Sequence, residues 1–566
     1  MSIVEVIGIA SIAPFMSIVI EPEIIHKNIY LSAAYQNFNF SDEGIFTMVF
    51  GVLVIVVLIF SNSYSALMTW KIHYFTNLQS YRLSTRLMEN YVMQPYEFFL
   101  NSNTSELTKN IFNEVDRVIG GVVIPLISII TKTISSLLIV VMLVFVDSIM
   151  AITSALVLGT SYIFVFKLVN KKLQQIGIKT SESAKLRYKY VSESMLGIKE
   201  IILHGVEGEF VEKFGSESKK FAKNVAQSSI ISSLPRYALE TIAFGGLITI
   251  VLIISQQQRN NTEIIVLLSL YALAGYKLMP ALQGIYQGIT QLKYHNSAID
   301  LIANDFALPT RNITLTGNES KPIQFNKNIL VQGLNYKYSG TDSMILSDVE
   351  LEISINSIVG FVGTTGSGKT TIVDILIGLL FPSFGKLKVD DVEIVKENIS
   401  EWHKRIGYVP QDIYLTDDSL ANNIALGVPI EDIDYGAINK VLKQAELTDF
   451  VSSLPDGYNS MVGEQGVRLS GGQKQRIGIA RALYHNPDIL VFDEATSSLD
   501  SLTETKIMNS IHALSVNKTI IIVAHRLTTI KKCDVIYFME FGKIVDKGSF
   551  EYLIANNDKF KKMSQA

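Results

Sequence analysis

Gly363-Thr364-Thr365-Gly366-Ser367-Gly368-Lys369-Thr370 has the form GxxxxGK[ST], and its flanks complete it. Ile358-Val359-Gly360-Phe361-Val362 reads as a buried strand before it, and Thr371-Ile372-Val373-Asp374-Ile375-Leu376 as a helix after it. Glycines at this spacing let backbone N–H groups approach an anion closely, the following helix points its positive end at the same place, and Lys369 adds a fixed charge. The stretch predicts an α/β domain that holds the phosphates of a nucleoside triphosphate. A loop of this kind serves kinases, GTPases and ATPases alike, so it does not by itself name the work done.

Two later stretches narrow the reading. Leu469-Ser470-Gly471-Gly472-Gln473 is a far more specific run, and Ile489-Leu490-Val491-Phe492-Asp493-Glu494 reads as a buried strand ending in two carboxylates. Adjacent carboxylates at the end of an apolar strand are costly unless a cation is near. Together and in this order, the motifs make residues 325 to 555 resemble the ATPase domain of the ABC transporters. The resemblance implies ATP and Mg²⁺ as cofactors. It implies that Gly363 to Thr370 and Thr371 hold the phosphates, that Thr370, Gln411 and Asp493 hold Mg²⁺, and that Glu494 orients or deprotonates the attacking water. His525 matches the switch histidine at the γ-phosphate, Gln411 the glutamine that couples to the membrane domain, and Tyr338 the aromatic that stacks on adenine. Taken singly, Tyr338 also suits a strand-end aromatic and His525 an ordinary polar residue; their order along the chain favours the functional roles. Ser470, Gly471, Gly472 and Gln473 would meet the nucleotide of an opposite domain, with Ser498-Leu499-Asp500 crossing the interface, so one copy of each motif implies a homodimer.

Composition sets the remainder of the chain apart. With 566 residues, 48% of them hydrophobic, and a mean hydropathy of +0.29, the chain is too apolar for a wholly soluble protein. A net charge of −4 supplies no basic footprint for nucleic acid, and the lone Cys533 has no partner for a disulfide within the chain. No cleavable signal peptide is expected, since the first residues lack a basic lead. Apolar segments near 2–20, 45–68, 118–146, 149–169, 237–255 and 263–283 are each long enough to cross a hydrocarbon core. Glu21, Glu23, Asp42 and Glu43 crowd the first connection, whereas Lys167, Lys171, Lys172 and Lys179 follow the fourth span, which places both termini in the cytoplasm. Residues 69–117 and 170–236 are helical in pattern but too charged for lipid, and read as long arms with docking turns near 101–109 and 198–208. The expected fold is a multi-pass α-helical transmembrane domain with six spans and long cytoplasmic helical arms, fused to an α/β P-loop ABC ATPase domain. Its expected boundaries are 1–302 for the exporter-type membrane domain, 303–324 for a linker and 325–566 for the ATPase.

The membrane half carries a second resemblance, through Ser233-Leu234-Pro235-Arg236-Tyr237-Ala238-Leu239-Glu240 and Tyr276-Lys277-Leu278-Met279-Pro280 with Tyr294 to Asp300. It looks like the PglK-type lipid-linked oligosaccharide flippases, a half-transporter of the type IV exporter fold. This implies movement of a polyprenyl-pyrophosphate glycan to the outer leaflet of the cytoplasmic (inner) membrane. The alternative is a general exporter of drugs, peptides or simple lipids. Cations inside spans are functional by default, which singles out Arg236, Lys277 and Lys132 as cargo contacts, although Arg236 is near enough to a span end to snorkel. The chain departs from the flippases at Ser61-Asn62-Ser63-Tyr64-Ser65, which is neutral where they carry an arginine. Between Pro22 and Asp42, apolar residues such as Ile29, Tyr30 and Phe38 alternate with polar ones as in a short amphipathic helix, either lying on the outer surface or packed on the spans.

Overall fold

The computed structural model describes residues 1–146, 148–255, 261–309, 322–494, 501–524 and 527–565. It divides into two compact units, Met1–Val92 with Ser102–Pro309, and Met93–Asn101 with Thr310–Ala566.

The first unit is helical. Helices α1 (Ser2–Ala10) and α2 (Ile12–Ile20) fill the first apolar segment with a break at Ser11, whose hydroxyl turns back to the Gly8 carbonyl at 2.8 Å. Pro14, lacking an N–H, suits the first turn of a new helix. The Pro22–Asp42 stretch forms two short helices, α3 (Ile24–Lys27) and α4 (Ile29–Asn37), with Asn28 capping the second by accepting from the N–H groups of Tyr30 and Leu31. One face packs on the spans, where Ile18, Ile25 and Phe46 are buried and the rings of Tyr35 and Phe40 meet Phe46 edge-on. The other leaves Ile29, Tyr30 and Phe38 exposed.

Helices α5 (Glu43–Val92), α10 (Ser148–Leu196) and α12 (Glu207–Ser255) each run through a predicted span and arm without interruption, and α13 (Asn261–Phe306) runs through the sixth predicted span and on to Phe306. The 50 residues of α5 rise about 75 Å, more than twice a hydrocarbon core of about 30 Å. Between α5 and α9 (Ile124–Val146) lie α6 (Tyr96–Asn101), α7 (Thr104–Lys109) and α8 (Val115–Val118), the last bounded by π-helical turns at Asn110–Glu114 and Ile119–Val123. The second arm turns at α11 (Ile198–His204), which ends on Gly205 at φ 64°, within the predicted 198–208. The first departs from expectation: Met93–Asn101 belongs with the second unit, whereas α7 stays with the helical unit. Pro95 disfavours helix at the preceding residue, so α5 stops and α6 starts a turn earlier than the 101–109 read from polarity.

Glycine and proline set how these helices meet. A Cβ on Gly177 would lie 2.0 Å from the Tyr294 carbonyl oxygen, and one on Gly121 2.2 Å from the His295 ring, so α10 and the π turn approach α13 only where side chains vanish. Pro235 in α12 has no N–H for the Ile231 carbonyl, and that carbonyl instead accepts from the Tyr286 hydroxyl of α13 at 3.3 Å.

The second unit is α/β. Strands β1 (Asn328–Tyr336), β2 (Leu346–Ser354), β4 (Phe384–Val389) and β5 (Val392–Glu393) form an antiparallel sheet in the order β2-β1-β4-β5. Strands β3 (Ile358–Gly363), β6 (Ile406–Val409), β7 (Ile489–Asp493), β8 (Thr519–Val523), β9 (Val535–Glu540) and β10 (Lys543–Gly548) form the other, in the order β10-β9-β3-β8-β7-β6. It is parallel except at the β9–β10 pair. Strands β3, β7 and β8 are buried at every residue, the continuous apolar pattern of a sheet covered on both faces. Each wholly buried Ile or Phe, such as Ile520 or Phe361, contributes roughly 1.5 to 3 kcal/mol relative to exposure.

Candidate nucleotide site

The parallel sheet brings the ends of β3 and β7 together with only β8 between them. From β3 the chain turns through Gly366 (φ 80°) and Gly368 (φ 95°) into α14 (Lys369–Leu376). A Cβ at Gly363 would lie 2.1 Å from the Met539 carbonyl oxygen, and one at Gly368 2.7 Å from the Leu346 side chain, so the loop curls against the sheet only as glycine. Lys369 is buried and donates to the carbonyls of Gly363 at 2.9 Å and Thr364 at 3.1 Å. Burial pulls its pKa below the ordinary lysine value, against the attraction of Glu494 and Asp493. The Ser367 hydroxyl is buried inside the loop with no hydrogen-bond partner among the described residues, an atom that an oxyanion would satisfy. Tyr338, just past β1, is half-buried, with its hydroxyl 3.2 Å from that of Thr371 and its ring edge-on to Tyr336.

At the end of β7, Asp493 is buried and receives the Tyr408 hydroxyl at 3.5 Å. Burial, reinforced by Asp493, pushes the nearby Asp374 of α14 up to about 7. Glu494 follows at φ 50°, with its N–H bonded to the Val523 carbonyl of β8 and its carboxylate receiving the Gln411 amide at 2.8 Å. Gln411 donates through nitrogen there, which leaves its amide oxygen for a cation. Thr370 hydroxyl, Gln411 carbonyl and Asp493 carboxylate form a set of hard oxygen donors, which fits Mg²⁺, an ion held by one or two carboxylates and by substrate phosphates. His525 lies outside the described residues, as does Ser498-Leu499-Asp500.

Ser470 is exposed and caps the helix Gly471–Tyr484 in a reciprocal box: its hydroxyl accepts from Gln473 N–H at 3.2 Å, and the Gln473 side chain accepts from Ser470 N–H at 2.8 Å. Since the hydroxyl accepts in this bond, its proton is free to point outward, alongside the positive end of a 14-residue helix. Here α6 joins the same unit: Tyr96 packs on the core cluster that Tyr338 also joins, and Glu97 accepts from the backbone N–H and hydroxyl of Ser339. Sequence reading located no role for Tyr96 or Glu97, because a turn with one tyrosine and one glutamate carries no motif.

The cargo cations fare differently. Arg236 is half-exposed and tied to Glu240 one turn on at 2.6 Å. Lys132 is half-buried, and its aliphatic stem would lie 3.4 Å from a Cβ on Gly284 of α13. The Lys277 side chain lies outside the described residues. A charge cluster that sequence reading missed sits on the first arm: Glu114 is wholly buried between Lys109 at 3.2 Å and Arg117 at 2.7 Å. Burial alone would raise its pKa, but Arg117, Lys109 and the Ser181 hydroxyl hold it below the usual carboxylate range. Arg117 also donates to His295 Nδ1 at 3.2 Å, and burial with this neighbouring charge takes that imidazole down to about 4.

A sequence profile of the ABC transporter transmembrane region matches residues 1–275, and one described as ABC transporter matches residues 346–497. Among similar proteins, the ATP-dependent lipid A-core flippase of Cupriavidus metallidurans is 28% identical over 481 residues, 84% of this chain and 80% of that one. The alpha-hemolysin translocation ATP-binding protein HlyB of Escherichia coli is 40% identical over 235 residues, 41% of this chain but 32% of its own length. The fold matches the ATP-bound structure of a bacterial Atm1-family ABC exporter with a TM-score of 0.82 at 21% identity, over 99% of this chain and 97% of that one. With a transmembrane exporter domain fused to an ATP-hydrolysing domain, this multi-pass membrane protein belongs to the ABC transporters.

Proposed function

We propose that the protein is a homodimeric flippase that uses ATP to move a lipid-linked oligosaccharide, a polyprenyl-pyrophosphate glycan, from the cytoplasmic to the outer leaflet of the inner membrane. The carrying observation is the alignment with a lipid A-core flippase over 481 residues, which extends through much of the membrane half. The toxin exporter supports the engine alone, being matched over only 32% of its length. Lys132, half-buried in a span, suits an anionic cargo, because an intramembrane cation is kept where it meets a charge or a wet cavity.

In this reading Gly363 to Thr371 cradle the phosphates and Lys369 exchanges the carbonyls of Gly363 and Thr364 for them. Thr370, Gln411 and Asp493 would hold Mg²⁺, which supplies charge neutralisation at the phosphates. Glu494, released from Gln411, orients and deprotonates the attacking water, and His525 senses the γ-phosphate. Ser470, Gly471, Gly472 and Gln473 of each subunit close on the nucleotide held by the other. Glu97 and Tyr96 carry movement of the Tyr338–Ser339 segment to α6.

The test is leaflet translocation of a fluorescent lipid-linked oligosaccharide in proteoliposomes, run beside ATP hydrolysis. ATP-dependent appearance in the opposite leaflet, absent with Glu494→Gln, is the expected result. Vigorous hydrolysis without movement of that lipid would turn the reading to the general exporter.

A further inference from the structure

A cavity of about 640 Å³ opens on the first unit between the α8 region, α10, α12 and α13. Its height follows from the sequence: Arg117 directly precedes the third predicted span, Ser233 lies four residues before the fifth, and Gln287 four residues beyond the sixth. Four residues of helix rise about 6 Å. At its membrane end the cavity therefore gathers the cytoplasmic ends of three spans, where the polar heads of inner-leaflet lipids lie, and its walls continue into the arms at Thr180 and Ala184 of α10 and Phe221 of α12.

Hydroxyl and amide groups line the cavity beside the rings of Phe221 and Tyr294 and the side chain of Val225, a mixed surface rather than a wholly polar one. Ser228, Ser229 and Ser233 of α12 and Gln287 and Gln291 of α13 line it, and their side chains take no hydrogen-bond partner among the described residues. The charged residues that line it, Glu114, Asp116 and Arg117, carry no positive surplus. Lys109 and Arg117 are balanced by Glu114, which they hold, and by Asp116, which takes the Ser80 hydroxyl at 2.9 Å. Arg117 Nη2 is buried without a hydrogen-bond partner among the described residues. Such a lining does not select a bare anion, which would need surplus positive charge. It suits a ligand with many hydroxyls.

We infer that this cavity is the capture site for the glycan of the lipid cargo, with the serine hydroxyls and glutamine amides meeting sugar hydroxyls and Arg117 Nη2 giving one fixed donor. The inference rests on the flippase reading and adds the place where the sugar is read. The walls are braced independently of any ligand by the close approaches of Gly121 to His295 and Gly177 to Tyr294, so the site is preformed.

Gly120 lines the cavity, and a Cβ built there meets nothing within 4 Å. The chain's single cysteine, Cys533, is buried, so Gly120→Cys supplies one accessible thiol. Maleimide labelling of this variant in nanodiscs is followed with an undecaprenyl-pyrophosphate-linked disaccharide, undecaprenyl pyrophosphate alone, and the free disaccharide. Slowing of about tenfold by the glycan-bearing lipid, with little by the sugar-free lipid, is expected for a site contributing one or two hydrogen bonds. The free disaccharide should protect only at much higher concentration, having no tail to concentrate it at the membrane. As a second readout, Gln287→Leu with Ser229→Leu should raise the half-saturating concentration of the glycan-bearing lipid for ATPase stimulation by about the same factor and leave that of undecaprenyl pyrophosphate unmoved. Equal protection by both lipids overturns the glycan assignment. No protection by either, while wild type flips the lipid, removes the cavity from the cargo's route and leaves the flippase standing; a wild type that neither flips nor responds to any of the lipids removes both.

Discussion

Glu494 holds φ at 50°, a region that costs a non-glycine residue on the order of 1 to 3 kcal/mol, and its carboxylate receives the Gln411 amide. Strain kept at the end of an otherwise regular strand is best understood as positioning. Glu494→Gln is expected to bind ATP and lower hydrolysis by about 10² to 10⁴, the usual contribution of a general base, in a single-turnover assay. Hydrolysis at the wild-type rate would give the water another base. Lys369→Ala should instead weaken nucleotide binding, read by fluorescent ATP titration. Of these residues the order and type were legible in sequence, because phosphate and metal chemistry fix both. The Glu97–Ser339 contact was not, since it depends on a fold that brings residues far apart in the chain to one place.

At the scale of elements, the packing of α13 against its neighbours depends on absent side chains. Gly177→Ala would set a Cβ 2.0 Å from a backbone oxygen that has no flexible end to move, so α10 and α13 must separate. A loss of about 1 to 3 kcal/mol is expected, seen as a lower melting temperature of the detergent-solubilised protein. His295 adds a pH dependence to the same region. Its folded pKa near 4 lies below the ordinary 6.5, so its contribution is full above 6.5 and is lost as pH falls from 6.5 towards 4, by at most roughly 3 kcal/mol. His295→Gln, which keeps an acceptor for Arg117, should flatten the fall in melting temperature across that interval. Sequence periodicity found the long helices but misplaced the first docking turn. Polarity marks where a helix leaves lipid, whereas Pro95 and the packing of Tyr96 decide where it turns.

For the whole molecule, the expectation is shared nucleotide sites. Ser470 presents its hydroxyl at the exposed end of the helix Gly471–Tyr484, where its oxygen accepts from Gln473 N–H and leaves its proton free to donate elsewhere. Co-expressing a Ser470→Arg chain with a Lys369→Ala chain should give a heterodimer that regains ATP hydrolysis absent from either mutant homodimer. Heterodimers as inactive as both parents, although properly assembled, would argue that both sites must be intact together. Wild-type activity in either homodimer would argue that each chain works alone.

The sequence by itself determined the engine and the membrane character. A phosphate loop tolerates few residue types at few spacings, and a hydrocarbon core demands long apolar runs whatever surrounds them. Only the tertiary structure decided which charges remain free to act. Arg236 meets Glu240 one turn away on its own helix, a pair within reach of sequence, whereas Arg117, which stood out in no motif, is brought against His295 of α13 and keeps one nitrogen without a hydrogen-bond partner among the described residues. The physical reason is that a charge acquires its role from its partners and its burial, and those come from helices distant in sequence that meet only once the chain has folded.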